Sequence, residues 1–176
     1  NYAGELGHMV VEPGGDRCQC GRRGCLEPIA SGGGMIGQVE KRLGDCPGSA
    51  LRRAAEGGQL TSSAIFQAAD AGDPLACCVA ERAVHGLGAA VTNLVNLLNP
   101  ELVVLGGGVF ADGWLVPRLR AFVAAEGLPA AKKGLRQIVL SPLQADLVGL
   151  LGAATLAWEP TSRNQQNPRM GPPPTP

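Results

Sequence analysis

The chain has 176 residues and a mass of 18.0 kDa, a size suited to one ordinary domain. Fifteen Lys and Arg balance fifteen Asp and Glu, so no net charge favours nucleic acid or an anionic membrane. Hydrophobic residues make up 45% and aromatic residues 3%, which predicts a globular core built mainly from Ala, Val and Leu. Every apolar run falls short of the roughly 18 residues of a membrane span, so we expect a soluble chain without a membrane partner.

Short helices are expected in the first half of the chain. Apolar residues recur there at helical spacing over three segments that Gly and Pro separate. The predicted helices cover residues 36–43, 49–56 and 63–69. Together they indicate a helical insert over about residues 30–72.

A long helix is expected next, because Asp73 and Pro74 form a typical cap and first turn. Its apolar pattern continues to Leu98. Asn99 and Pro100 end it, since proline disfavours helix in the residue before it.

Strands and helices alternate after the long helix. The predicted elements are strands at Leu102–Leu105 and Gln137–Leu140 and helices at about 113–126 and 146–158. Asp146 is the expected cap of the last helix. The alternation predicts an α/β fold with a parallel pair of strands over about residues 73–159.

The last segment, residues 160–176, holds six of the fourteen prolines and Met170 as its one apolar anchor. Such a segment cannot bury enough surface to offset its ordering entropy. We therefore expect the folded part to end near Trp158 and a disordered tail to follow.

Four potential metal ligands are spaced as H-x9-C-x-C-x4-C, formed by His8, Cys18, Cys20 and Cys25. Alternate residues of an extended segment face the same side, so Cys18 and Cys20 can face one ion, and the surrounding glycines allow the chain to return Cys25 to it. This donor set suits a closed, structural zinc site within residues 8–25. The alternatives are a disulfide or free buried thiols.

The remaining cysteines, Cys46, Cys77 and Cys78, are scattered. We expect them to be inert thiols of the core. Arg22 and Arg23, between the candidate ligands, are expected to be exposed loop charges.

Three stretches of sequence resemble the ROK family, which contains bacterial sugar kinases and sugar-responsive repressors. They are Gly4-Glu5-Leu6-Gly7-His8, the stretch Cys18-Gln19-Cys20-Gly21-Arg22-Arg23-Gly24-Cys25-Leu26-Glu27, and Ala30-Ser31-Gly32. The resemblance continues through 96–108 and 149–154. It implies an actin-like, ribonuclease-H-like ATPase fold of two lobes, in which residues 1–159 form the C-terminal lobe and the N-terminal lobe is absent.

The resemblance also implies a sugar site. Glu5 and His8 match the family's E-x-G-H motif and Glu27 matches a second sugar-binding glutamate, so all three would hydrogen-bond sugar hydroxyls. His8 would bind zinc through its other ring nitrogen, which would hold the imidazole in one orientation. From the residues alone, Glu5 and Glu27 could equally be surface charges and His8 only a metal ligand.

Gly106, Gly107 and Gly108 follow a predicted strand and precede a predicted helix, a place where backbone can approach a nucleotide. Taken alone, three glycines more often form a simple turn. The resemblance places them where ROK kinases contact the adenosine part of ATP, which acts with Mg²⁺ in the intact enzyme.

Two features of ROK kinases are missing from this sequence. These are the Asp-x-Gly-x-Thr phosphate loop and the Asn-Asp pair whose aspartate is the general base. The resemblance therefore implies the C-terminal part of an ATP-dependent hexose kinase, glucokinase-like and acting at the sugar 6-hydroxyl, without activity of its own and without a catalytic residue in this chain. The intact protein would be cytoplasmic and homo-oligomeric.

Two other functions stay open. The same residues could form the sugar-sensing lobe of a ROK repressor, which binds DNA through a preceding helix-turn-helix domain. The chain could also be a free-standing, zinc-stabilised module that binds sugar without catalysis. A half-sheet alone would leave an apolar face and a strand edge open to water, which predicts self-association.

Overall fold

The computed structural model describes residues 4–144 and 147–158. The elements in these ranges are α1 Leu26–Ala30, α2 Gly32–Arg42, α3 Leu51–Glu56, α4 Ser62–Asp70, α5 Pro74–Leu98, β1 Leu102–Leu105, α6 Leu115–Glu126, α7 Pro129–Gly134, β2 Gln137–Leu140 and α8 Val148–Trp158. The expected cap Asp146 and the expected tail 160–176 lie outside the described residues. Among the described helices, none combines the length and apolar character that crossing a bilayer requires.

Helix α5 is the central element and has the predicted boundaries. The Asp73 carboxylate caps it by accepting from the Ala76 N–H at 2.9 Å, and Pro74 occupies the first turn. Asn99 ends it in the left-handed conformation, with φ of 46°. The same carboxylate accepts from the Ala50 N–H at 2.7 Å, which ties the start of α5 to the start of α3.

The two strands form the predicted parallel pair with the predicted bounds. Leu102 lies opposite Gln137 and Leu105 opposite Leu140. Helices α6 and α7 make the crossover between them, as a parallel pair requires. The α/β fold class expected from the sequence is therefore confirmed in the described residues.

The core forms where other helices pack on α5, which contacts α1, α2, α4 and α6. Two glycines of α5 permit the closest approaches. A Cβ at Gly88 would lie 2.4 Å from the Phe122 ring of α6, and a Cβ at Gly86 would lie 3.0 Å from Ile29 of α1. The largest fully buried side chains are Phe66, Ile29, Met35, Ile65, Leu115 and Leu119.

The structure corrects several expectations. Helix α2 begins at Gly32, before the predicted start at 36, because the Ser31 hydroxyl caps it by accepting from the Gly34 N–H at 3.0 Å. A Cβ at Gly34 would lie 2.5 Å from the Glu27 carbonyl oxygen, so a residue that lowers helix propensity is needed there for packing. Helices α1 and α7 were not predicted.

The expectation that all three outlying cysteines are core thiols is wrong. Cys78 is exposed and lies 3.3 Å from an Arg42 nitrogen, while Cys46 and Cys77 are partly buried. Cys77 and Cys78 are adjacent on α5, and neighbouring helical positions face different directions. One thiol can therefore face another element while the next faces solvent.

Candidate metal centre

Residues 8–25, here called the Cys/His loop, double back on themselves through backbone hydrogen bonds. Near its base, the Val11 N–H donates to the Gly24 carbonyl at 2.9 Å and the Leu26 N–H donates to the Met9 carbonyl at 2.9 Å. Near its tip, the Cys18 N–H donates to the Arg22 carbonyl at 2.8 Å. These pairs fold the loop on itself and bring ligands from its base and its tip together.

Two glycines shape the reversal. Gly21 has φ of +89°, and its N–H donates to the Cys18 carbonyl at 3.0 Å to close the tip. Gly24 has φ of +76°, and a Cβ there would lie 1.8 Å from the Glu12 carbonyl oxygen. Because L side chains rarely adopt such φ values, the loop requires glycine at both positions.

The four predicted ligands converge: their donor atoms all lie within 4.8 Å of one another. The Cys18 sulfur is 3.6 Å from His8 Nδ1, and the Cys20 and Cys25 sulfurs are 3.6 Å apart. Ligands of a tetrahedral zinc ion, with Zn–S of about 2.3 Å and Zn–N of about 2.0 Å, lie roughly 3.5–3.8 Å apart. All six cysteines are free thiols in the structure, which therefore contains none of the disulfides considered as an alternative. The four side chains can hold a metal ion.

The electrostatics of the loop favour a thiolate at Cys20. The backbone N–H and then the guanidinium of Arg22 lower the pKa of the exposed Cys20 thiol to about 6. Burial raises the pKa of the Cys25 thiol to about 11. The thiolate is the form that binds metal.

Arg22 and Arg23 are exposed, as expected, but they also hold the loop. An Arg22 nitrogen donates to the His8 carbonyl at 2.9 Å, and an Arg23 nitrogen donates to the Gly15 carbonyl at 3.4 Å. Both bonds join the outer part of the loop to residues nearer its base.

The two predicted sugar-binding glutamates differ in their surroundings. Glu27, in the first turn of α1, has its Oε2 atom 3.5 Å from His8 Nδ1 and 3.7 Å from the Cys18 sulfur. Glu5 precedes the 3-10 turn Leu6–His8, and its carbonyl accepts from the His8 N–H at 3.1 Å. Among the described contacts, Glu27 joins the cluster through its carboxylate and Glu5 adjoins it through the backbone.

The predicted glycine site lies at the carboxyl ends of both strands. Gly106 and Gly107 line a cavity of about 430 Å³ together with Ser141 and Pro142, which follow β2. Gly107 has φ of +99°, and Gly108 begins a 3-10 turn at Gly108–Phe110. Ligands of parallel α/β sheets commonly bind at this edge.

Comparison with known proteins identifies the family of this chain. The sequence model of the ROK family matches residues 1–159. This chain belongs to the ROK family. The glucokinase of Thermotoga maritima is 36% identical to it over 157 residues, which cover 88% of this chain and 49% of that protein.

One solved structure and one regulator extend the comparison. A ROK family glucokinase from Streptomyces griseus, in complex with glucose and AMPPNP, has a TM-score of 0.65 to this ROK chain at 29% identity, covering 90% of this chain and 52% of that one. The DNA-binding transcriptional dual regulator NagC of Escherichia coli is 34% identical over 133 residues, covering 75% of this chain and 32% of the regulator. The chain thus spans about half the length of the kinases it matches.

One set of side-chain contacts to the Cys/His loop was not predicted from the sequence. Arg82 of α5 donates to the Asp16 carboxylate of the Cys/His loop at 2.8 Å and to Gln38 Oε1 of α2 at 2.8 Å. These partners are 66 and 44 residues away in the sequence. No local spacing pattern could have indicated the contact.

Proposed function

We propose that this chain is the metal- and sugar-binding part of an ATP-dependent hexose kinase, the C-terminal lobe of a two-lobed ROK protein. The observation that carries this proposal is the convergence of His8, Glu27 and three cysteine sulfurs in one cluster. Membership of the ROK family and 36% identity to a glucokinase support a hexose as the ligand.

Zinc is the metal that the donor set fits best, since a cluster of one imidazole and three sulfurs is typical of structural zinc. With His8, Cys18, Cys20 and Cys25 as ligands, all four positions are filled and none is left for substrate. When bound, the ion fixes the loop and the orientation of the His8 ring. Its role is therefore structural.

The sugar is held by the groups that border the metal ligands. His8 Nδ1 faces the Cys18 sulfur, which leaves Nε2 to hydrogen-bond a sugar hydroxyl. The Glu27 and Glu5 carboxylates accept from neighbouring hydroxyls, and such charged acceptors bind more strongly than neutral ones. These three side chains fix the position of the sugar and take no proton from the reacting hydroxyl.

The nucleotide is held where the two strands end. We assign the adenosine part of MgATP to Gly106, Gly107 and Gly108, because Gly106 and Gly107 line a cavity at the carboxyl ends of β1 and β2 and Gly108 follows them directly. The phosphate loop and general base of ROK kinases do not occur in this sequence. Phosphoryl transfer depends on positioning of both substrates, so the chain alone has no measurable kinase activity.

A second candidate is the sugar-sensing lobe of a ROK repressor, favoured by the 34% identity to a DNA-binding regulator over 75% of this chain. The coding sequence upstream distinguishes the two. A phosphate loop and an Asn-Asp pair there would support the kinase, and a helix-turn-helix would support the repressor.

The sugar site is tested by calorimetry of the zinc-loaded chain with D-glucose and N-acetyl-D-glucosamine. We expect Glu27→Gln to weaken binding of the preferred sugar by about tenfold, because a hydrogen bond to a charged group contributes roughly 1.5–3 kcal/mol. The matched control is Glu56→Gln, an exposed glutamate at the end of α3. Equal affinities for the two variants would contradict the assignment of Glu27.

A further inference from the structure

Arg82 lies where three elements meet. Its side chain is 19% exposed and contacts three acceptors at once. Nε donates to Glu12 Oε2 at 3.2 Å, and Nη1 donates to Asp16 Oδ2 and to Gln38 Oε1, each at 2.8 Å. The planar guanidinium therefore binds the Cys/His loop on one side and α2 on the other.

The two carboxylates lie on the first arm of the Cys/His loop, and the backbone of this arm pairs with Gly24 of the second arm. The Glu12 N–H donates to the Gly24 carbonyl at 3.2 Å, and the Gly24 N–H donates to the Asp16 carbonyl at 2.9 Å. Gly24 directly precedes the ligand Cys25, and Asp16 precedes the ligand Cys18 by two residues. By binding both side chains, Arg82 fixes the first arm, and the backbone bonds to Gly24 connect this arm to the second arm and its sulfur.

Gln38 carries the connection from Arg82 to α1. It is 4% exposed, and its Nε2 donates to the Pro28 carbonyl at 3.0 Å and to the Ile29 carbonyl at 2.9 Å. Because the amide nitrogen of Gln38 donates to these carbonyls, its amide oxygen is the atom that accepts from Arg82. Pro28 directly follows Glu27, so the connection ends at the backbone beside the proposed sugar ligand.

We propose that Arg82 is a positioning residue that fixes the Cys/His loop against α1, so that the metal ligands and Glu27 keep one relative geometry. The inference rests on the proposed function, since it assumes that the loop holds zinc. Arginine is required because its five donors in a planar fork reach three acceptors in different directions, whereas the ammonium of lysine is a single point of charge.

The test compares zinc release from Arg82→Lys and Arg118→Lys, each made in the full 176-residue chain and loaded with zinc. Arg118 is the matched control, because it also binds a carboxylate from a helix, with an Nη2 to Asp70 Oδ1 distance of 2.9 Å. We expect Arg82→Lys to release zinc to a coloured chelator about tenfold faster than the unsubstituted chain. The control should release it at the unsubstituted rate.

Cobalt spectroscopy adds a readout that a general loss of stability would not move. Co²⁺ bound in place of zinc reports ligand geometry through its visible absorption bands. Positioning by Arg82 predicts altered band positions or intensities in Arg82→Lys and unaltered bands in Arg118→Lys. An unaltered spectrum together with an unaltered release rate in a folded Arg82→Lys chain would overturn the inference.

The test also covers a variant that fails to fold and a chain that binds no zinc. If Arg82→Lys shows no cooperative melt, the double variant Glu12→Gln/Asp16→Asn replaces it, since this removes both charges that Arg82 binds and keeps the arginine. Faster zinc release in that variant supports the inference, and an unchanged rate overturns it. If the unsubstituted chain binds no zinc, the proposed function fails, whereas zinc binding with no effect of Arg82 contradicts only the inference.

Discussion

Two exposed parts of the chain present different chemistry to solvent. One is the Cys/His loop, and the other is formed by β1, β2 and α8 and is here called the strand end. In the loop, polar groups bind one another: backbone pairs close it and Arg82 ties it to α2. At the strand end, apolar side chains face solvent, with Leu150 68% and Leu156 74% exposed. Contacts within the described chain thus hold the loop in place, while the apolar surface of the strand end favours association with another surface.

Chelation of the metal should distinguish the Cys/His loop from the helical core around α5. We expect amide protection at Val11 and Gly24, whose backbone groups pair across the loop, to fall by roughly a hundredfold without metal. Val79 and Val91 of α5 are internal controls, because they are buried in the core away from the loop's backbone pairs. Hydrogen exchange followed by mass spectrometry measures both, and a uniform change across the chain would contradict this division.

Self-association should depend on the strand end. We expect light scattering from the unsubstituted chain to report assemblies, and Leu150→Glu/Leu156→Glu to lower the apparent mass toward 18.0 kDa, because burial of each leucine contributes about 2 kcal/mol. Thr155→Glu on the same helix is the control, since it adds charge without removing apolar surface. A monomeric unsubstituted chain with a cooperative melt would argue against an uncovered association surface.

Glycine substitutions test the packing of the helical body between these regions. Gly88→Ala should destabilise the chain by about 2 kcal/mol, because its Cβ would lie 2.4 Å from the Phe122 ring. Gly37→Ala is the matched control on α2, where a Cβ meets no atom within 4 Å. It should stabilise the chain by about 0.5–1 kcal/mol through helix propensity, and urea melts measure both.

Acid should weaken the joint between α3 and α5. Burial raises the pKa of Asp73, but hydrogen bonds from the Ala76 and Ala50 N–H groups and from Ser49 outweigh it and hold the pKa below the usual 3.8. The stabilisation is therefore complete above pH 3.8 and is lost as the pH falls through the lower folded value. Asp73→Asn should cost about 1 kcal/mol at pH 7.

The difference between Asp73→Asn and the unsubstituted chain should shrink in urea melts as the pH falls through that range. Asp45→Asn, an exposed position, is the control and should show no such convergence. A constant difference at every pH would show that the Asp73 charge does not contribute.

Sequence reasoning succeeded where local signals were strong. The bounds of α5 followed from a cap, a proline and a long apolar period, and both strands followed from short apolar runs between breakers. The convergence of His8 with the three cysteines followed from ligand type and spacing. Each of these depends on residues close together in the chain.

Sequence reasoning failed where distant packing decides. Three consecutive glycines concealed the start of α2, because the need for Gly34 arises from the Glu27 carbonyl of another helix. Arg82 is one of many charged residues on a helix until the fold places Asp16 and Gln38 beside it. The surroundings of Glu27 and Glu5 likewise differ only once α1 is in place.

The central claim is that the Cys/His loop is a structural zinc site, and elemental mass spectrometry of the purified chain tests it most directly. We predict one zinc per unsubstituted chain, none after Cys20→Ser, and one after Cys78→Ser, which changes an exposed thiol outside the cluster. A chain purified without zinc, or one that keeps its zinc after Cys20→Ser, would contradict the account.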